Sequence, residues 1–89
     1  IFAAVYNKYG VPKEDIKGKK RTKEITSARQ MAIYLIREIT ELSFPNIGNI
    51  VDKDHTSVMY AYDQMIKKIA QSPMIELEIE ELKKEVSSI

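Results

Sequence analysis

The sequence predicts an all-α domain of six helices. Only three glycines and three prolines interrupt the 89 residues, which favours helices over many short strands. Apolar residues recur at helical spacing along most of the chain, and we find no alternating strand pattern and no internal repeat. A chain of this length suits one domain, residues 1–89, with a single modest core. It is too short for a nucleotide-hydrolysing or barrel enzyme fold.

The first two predicted helices are short. In residues 1–10 the apolar side chains share one helical face and Gly10 is a natural stop, so we expect a short helix. Those apolar residues are Ile1, Phe2, Val5, Tyr6 and Tyr9. Pro12 then starts a second helix over residues 13–17, with Ile16 as its buried anchor.

A basic loop and a long helix are predicted next. Residues 17–26 lack apolar periodicity and carry most of the lysines of this region. Ser27 and Gln30 fit a capping box that would start the third helix. One stripe of that helix is apolar, while Arg29, Gln30 and Arg37 lie together on the opposite side. The stripe consists of Ala28, Met31, Ala32, Leu35, Ile36, Ile39 and Leu42.

Residues 43–69 have the spacing of a helix-turn-helix. Ser43 is a good N-cap and Pro45 fits the first turn of a helix of about two turns. A tight connection follows, and Asp54 can cap a longer helix. That helix has an apolar stripe of Val58, Tyr62, Met65, Ile66 and Ile69. Ser72 and Pro73 separate it from a last helix, residues 73–88, with an apolar face of Ile75, Ile79, Leu82 and Val86.

Charge is divided unevenly, although the whole chain carries only +1. Residues 17–37 hold seven cations and one anion, a net +6, whereas residues 72–89 hold five glutamates and two lysines, a net −3. A basic block beside a helix with aligned cations is typical of a surface that binds phosphates. A lysine-rich loop on its own is also common as plain solvated surface.

The first turn of the longer helix is entirely polar. Histidine can donate to base acceptors, threonine can place its methyl against thymine, and aspartate can accept from cytosine N4. The recognition helix of a helix-turn-helix uses these N-terminal positions on base edges, which here are Asp54, His55, Thr56 and Ser57. The alternative is that Asp54 is only an N-cap and that the other residues have no special role.

Motifs in residues 19–68 resemble the C-terminal domain (domain IV) of the bacterial DnaA replication initiator family. After the basic loop, the motifs are Arg-Gln-Met-Ala at residues 29–32, Ser-Phe-Pro-Asn-Ile-Gly at 43–48 and Lys-Asp-His-Thr-Ser-Val at 53–58. The resemblance implies a compact six-helix fold with a Trp-repressor-like helix-turn-helix. It also implies sequence-specific binding of double-stranded DNA at the DnaA boxes of a replication origin.

The resemblance also implies roles for individual residues. Base contacts would come from Arg21 in the minor groove, from Asp54, His55 and Thr56 in the major groove, and from the apolar Phe44 and Pro45. Phosphate contacts would come from Lys23, Arg29, Gln30, Arg37 and Ser57. Two departures are the absence of the glycine pair that some family members have before Asp54, and Asp63 and Gln64 where a well-known member has basic residues.

Cofactors and catalysis are not expected in this chain. It has no cysteine, one histidine and no phosphate-binding glycine loop, which argues against a metal site, ATP binding and the usual catalytic arrangements. The resemblance implies that the larger parent carries a preceding ATPase domain that binds ATP, with the helix over residues 1–10 as its junction to this chain. It also implies that the parent oligomerises on DNA and works in the bacterial cytoplasm at the nucleoid. This chain itself is expected to be a monomer.

Other function classes remain open at this point. A transcriptional regulator with a helix-turn-helix reading another operator has the same pattern, although it usually dimerises on a palindrome. A protein-interaction module is a third class, in which the acidic last helix docks a partner through Met74 and Leu77. Enzymatic activity is the weakest class, since the aligned Glu78, Glu81 and Glu85 fit a solvated helix face.

Overall fold

The computed structural model describes residues 1–87, which form six α-helices. They are α1 Phe2–Tyr9, α2 Lys13–Lys17, α3 Lys23–Thr40, α4 Phe44–Val51, α5 His55–Gln71 and α6 Pro73–Ser87. No strand occurs within these residues, which confirms the predicted all-α class. Ser88, the predicted end of the last helix, lies outside the described residues. No helix in the described part of the chain is both long and apolar enough for a membrane crossing.

Helix α3 is the centre of the fold. It contacts each of the other five helices. From Met31 to Ile36 every side chain is therefore buried, including Ile33 and Tyr34, which lie off the predicted stripe. Ile39, near the end of that stripe, is 36% exposed. A helix that is enclosed on all sides buries more than one stripe, so its periodicity underestimates the core.

The predicted start of α3 at Ser27 is wrong. The helix begins at Lys23, and the Thr22 hydroxyl accepts a hydrogen bond from the Ile25 amide at 3.2 Å. Ile25 is buried one turn ahead of Ala28, so core packing extends the helix upstream through charged residues. The loop between α2 and α3 is thus residues 18–22, shorter than the predicted 17–26, and Lys23 lies on the helix.

The start of each helix in the helix-turn-helix agrees with its predicted cap. The Ser43 hydroxyl accepts from the Asn46 amide at 3.2 Å, and Pro45 lies in the first turn of α4. A carboxylate oxygen of Asp54 accepts from the Ser57 amide at 2.8 Å at the start of α5. Both caps satisfy amide groups that a helix start leaves without a partner, so they define where α4 and α5 begin.

The turn between α4 and α5 is tight. Asp52 takes the left-handed conformation, with φ 58°. Gly48 lies so close to this turn that a Cβ there would be 2.5 Å from the Lys53 carbonyl oxygen. Glycine at 48 thus permits the close approach of α4 to the start of α5.

Helix α6 packs by its predicted face. Ile79 and Leu82 are buried, and Ile75 and Val86 are partly buried against the same core. On its outer side Leu77 is 60% exposed. The acidic helix is therefore part of the folded domain.

Candidate nucleic-acid interface

An open groove of about 770 Å³ lies between the loop of residues 18–22 and the helix-turn-helix. One wall consists of this loop and α3, and the other consists of the α4–α5 turn and the first turns of α5. The lining residues, from the first wall to the second, are Gly18, Lys19, Arg21, Thr26, Arg29, Gln30, Ile33, Asp52, Lys53, Asp54, Thr56, Ser57, Tyr60 and Ala61. We refer to it as the basic groove, because its cations outnumber its two aspartates.

Six of the predicted site residues line the basic groove. They are Arg21, Arg29, Gln30, Asp54, Thr56 and Ser57. Arg21 comes from the exposed loop, and Asp54 and Thr56 come from the start of α5 on the other side. Folding therefore places a cation from one half of the sequence opposite polar residues from the other half.

The other five predicted residues lie outside the groove lining. They are Lys23, Arg37, Phe44, Pro45 and His55, of which Lys23, Pro45 and His55 are exposed. The Phe44 ring is partly buried, with its centroid 5.5 Å from that of Tyr62. The Arg37 guanidinium lies 4.5 Å from the Phe44 centroid on another side. Phe44 therefore also supports the packing of α4 on α5.

The Arg29 guanidinium is bound to backbone carbonyls. Its Nε donates to Ile16 at 2.7 Å, and its Nη2 donates to Asp15 at 2.9 Å, Gly18 at 3.1 Å and Lys20 at 3.2 Å. Partial burial and the nearby charge of Arg21 lower the pKa of Arg29, whose guanidinium still stays charged at neutral pH. Arg29 thus holds the loop against α3.

Two other predicted phosphate-binding residues also have partners within the chain. Arg37 Nη1 donates to the Leu42 carbonyl at 2.6 Å. The Gln30 side-chain oxygen accepts from Lys68 Nζ at 2.6 Å, which joins α3 to α5. The capping role predicted for Gln30 is wrong, because Ser27 lies inside α3 and is not its N-cap.

Asp54 combines a structural role with an exposed position. Hydrogen bonds from Ser57, through its backbone amide first and its side chain second, hold the pKa of Asp54 below its ordinary value. Asp54 is therefore an ionised acceptor at neutral pH. Beside it, the side chains of His55 and Thr56 are exposed to solvent. The start of α5 thus presents both acceptors and donors at the edge of the groove.

Comparison with known proteins decides the family. Residues 1–65 match the family described as bacterial dnaA protein helix-turn-helix. The chain belongs to the DnaA helix-turn-helix family. It is 46% identical over 78 residues to the chromosomal replication initiator protein DnaA of a Thermoanaerobacter species, which covers 88% of this chain and 18% of that protein.

Other relatives agree with this assignment. The DnaA protein of Caldanaerobacter subterraneus is 46% identical over 78 residues, covering 88% of this chain and 18% of the relative. The DnaA protein of Levilactobacillus brevis is 46% identical over 76 residues, covering 84% of this chain and 17% of the relative. The chain thus spans less than a fifth of the curated DnaA proteins that it matches.

The DnaA family match includes every residue that lines the basic groove. It ends at residue 65, within α5, and α6 lies beyond it. Among residues 1–87, no three His, Cys, Asp or Glu side chains are grouped so that they could hold a metal ion.

Tyr60 and Lys53 line the groove although neither was among the predicted site residues. Tyr60 is 65% exposed and lines the groove one turn after Thr56, so the i, i+4 spacing on α5 was a signal that could have found it. Lys53 reaches back to the end of α2, with its Nζ 2.7 Å from the Gly18 carbonyl oxygen. No local sequence pattern predicts that contact, because it joins segments 35 residues apart.

Proposed function

We propose that this chain is the DNA-reading domain of a replication initiator and that it binds double-stranded DnaA boxes at a replication origin. The observation that carries the proposal is the basic groove. It places Arg21 on one wall and the first turn of α5 on the other, both open to solvent. A chain that reads both grooves of a duplex needs a cationic loop and a polar helix start side by side.

The first turn of α5 is proposed to read bases in the major groove. An α-helix fits this groove, where each base pair presents a distinct set of donors, acceptors and methyl groups. His55 would donate to a base acceptor and the Thr56 methyl would contact thymine. Asp54 uses Oδ1 for the α5 cap, so its second oxygen would accept from cytosine N4. Phe44 and Pro45, at the start of α4, would add apolar contacts.

The loop is proposed to reach the minor groove through Arg21. A·T-rich DNA has a narrow minor groove with an enhanced negative potential, which attracts arginine. Arg21 is exposed on a loop that Arg29 holds against α3. Reading two grooves with one chain makes recognition directional, so the bound chain is expected to be a monomer.

Phosphate contacts are proposed for Lys23, Arg29, Gln30, Arg37 and Ser57. Arg29 and Arg37 already donate to carbonyls, so their phosphate contacts would use guanidinium N–H groups outside those bonds. Each neutralised phosphate releases counterions and makes affinity depend on salt. These contacts would place the domain on the duplex, while the base contacts select the sequence.

The parent protein is proposed to add what this chain lacks. ATP binding and hydrolysis would belong to a preceding domain, with α1 as the junction, and nucleotide-driven oligomerisation would bring several such chains to one origin. The parent would act at the nucleoid in the bacterial cytoplasm. No catalytic residue, cofactor or metal is assigned to this chain.

The test is selection of bound duplexes from a random pool with the 89-residue chain, followed by titration. We expect a DnaA-box-like sequence, bound by one chain per site, with higher affinity than a scrambled duplex of equal composition at moderate salt. Equal affinity for both duplexes contradicts sequence-specific reading. Selection of an unrelated palindrome that binds two chains would favour a transcriptional regulator instead.

A further inference from the structure

We propose that Lys53 is a positioning residue that locks the Arg21 loop at a set distance from α5, so that the two walls of the basic groove engage DNA together. The inference rests on the proposed function, because it concerns how the same interface reads two grooves. Lys53 precedes the α5 cap, and its side chain reaches across to the loop.

The Lys53 ammonium donates its hydrogen bonds to backbone carbonyls. Its Nζ donates to Gly18 at 2.7 Å and to Lys17 at 2.9 Å, and a longer contact of 3.4 Å reaches Asp52. An ammonium has three donors, so all of them have carbonyl partners. Unlike a lysine that contacts phosphate, Lys53 is directed into the protein and is partly buried.

Arg29 holds the same loop from the α3 side. The Gly18 carbonyl accepts from both Arg29 Nη2 and Lys53 Nζ. Two cations thus share the carbonyls at the end of α2, a helix terminus where positive charge is favourable. Partial burial lowers the pKa of Lys53 most, and the nearby positive charge of Arg29 lowers it further.

The loop has little else to hold it. Gly18 is partly exposed, and residues 19–22 are all exposed, so no side chain of the loop is anchored in the core. Its conformation therefore depends on the hydrogen bonds that its carbonyls accept. Arg29 ties the loop to α3. Within the part of the chain that the structure describes, Lys53 links a loop carbonyl, that of Gly18, to the turn that leads into α5.

This arrangement has a consequence for binding. A loop that is ordered before binding avoids the entropy cost of ordering when Arg21 enters the minor groove. Loss of the Lys53 contacts should free the loop from α5. Readout by Arg21 should then weaken, while readout by the first turn of α5 should persist, because Asp54 caps α5 independently.

The experiment compares Lys53→Met with Lys84→Met in the 89-residue chain. Lys84 is exposed on α6 and does not line the groove, so its substitution removes the same charge without removing the link. Three duplexes are titrated over a range of salt: the selected box, the same box with G·C pairs in the stretch facing the loop, and a scrambled duplex.

For Lys53→Met we expect the preference for the box over its G·C-substituted form to fall at least fivefold. The preference of that substituted form over the scrambled duplex, which measures base reading by α5, should stay within twofold. The slope of log affinity against log salt should not change. Lys84→Met should keep both preferences. Lys53→Arg, which retains a donor set, should restore part of the lost preference.

A DNA-independent readout accompanies the titrations. Amide order parameters of residues 18–22 in free Lys53→Met should fall from the rigid range of about 0.85 toward about 0.6. Circular dichroism in the helical region checks folding. If Lys53→Met unfolds, the test uses Lys53→Arg with a folded spectrum. An intermediate box preference of Lys53→Arg supports the inference, and a box preference equal to that of the wild type overturns it.

Two results overturn the positioning role alone. One is a full box preference in folded Lys53→Met, and the other is a uniform loss of affinity with a lower salt slope, which identifies a phosphate contact. Both leave the proposed function standing if the wild-type chain still prefers the box. If the wild-type chain binds all three duplexes equally, the proposed function fails and the positioning role fails with it.

Discussion

The basic groove and the outer surface of α6 are opposite in charge and in the forces that hold them. The groove contains Arg21 on a short loop, Lys53 on a tight turn and Arg29 on α3, and hydrogen bonds from the last two hold the loop in place. Helix α6 carries five glutamates and packs mainly through Ile79 and Leu82. Their opposite charges offset each other within a whole-chain net charge of only +1, so total charge conceals the candidate interface. Substitutions in the groove should therefore alter binding first, whereas substitutions inside α6 should alter stability first.

The largest effect is expected for Leu82→Ala on the inner side of α6. Leu82 is 3% exposed, and truncation of a buried leucine costs about 2–5 kcal/mol of folding free energy. The matched control is Leu77→Ala, at a position 60% exposed, which should change stability by less than about 0.5 kcal/mol. Urea denaturation measures both. Equal losses for the two variants would contradict the packing of α6 by one face.

Gly48→Ala should disturb the groove by way of its supporting turn. Alanine normally favours a helix interior, but here its Cβ would lie 2.5 Å from the Lys53 carbonyl oxygen. We expect a net loss of about 1–3 kcal/mol, since backbone must move to accept the methyl group. Urea denaturation is again the measurement. The control is Asn49→Ala, an exposed neighbour on α4, and a Gly48 variant as stable as this control would disprove the close approach.

His55→Ala and Thr56→Ala should lower sequence discrimination by about 1–3 kcal/mol each. Both side chains are exposed, so the urea midpoint should hardly move. Titration of each variant with the selected box and the scrambled duplex gives the discrimination. Glu80→Gln, on the exposed surface of α6, serves as the control and should leave it unchanged. If discrimination survives both alanine variants, bases are read elsewhere.

Arg37→Ala has the smallest expected effect and acts on all duplexes alike. If Arg37 contacts one phosphate, the slope of log affinity against log salt should fall by about 0.9. Lys84→Ala removes an equal charge from the exposed surface of α6 and should not alter the slope. The same reduction in both variants would mean that overall charge, and not a contact at Arg37, governs the salt dependence.

Local chemistry made much of this fold predictable. Gly10, with φ 71°, ends α1, and the side chains of Ser43 and Asp54 cap α4 and α5. Each of these signals acts within three or four residues, so the sequence displays it directly. The start of α3 was missed because Lys23 and Glu24 resemble loop residues, whereas burial of Ile25 depends on distant helices.

The candidate site divides in the same way. The sequence alone determined which residue types are present: a polar first turn in α5, a basic stretch before α3 and the motifs of the DnaA family. The tertiary structure decided which of them meet. Arg21 faces α5 across one groove, Phe44 packs against Tyr62, and Arg29 and Lys53 bind the same Gly18 carbonyl. Such contacts join residues far apart in the chain, where helical periodicity and capping rules carry no information, and only packing around α3 brings them together.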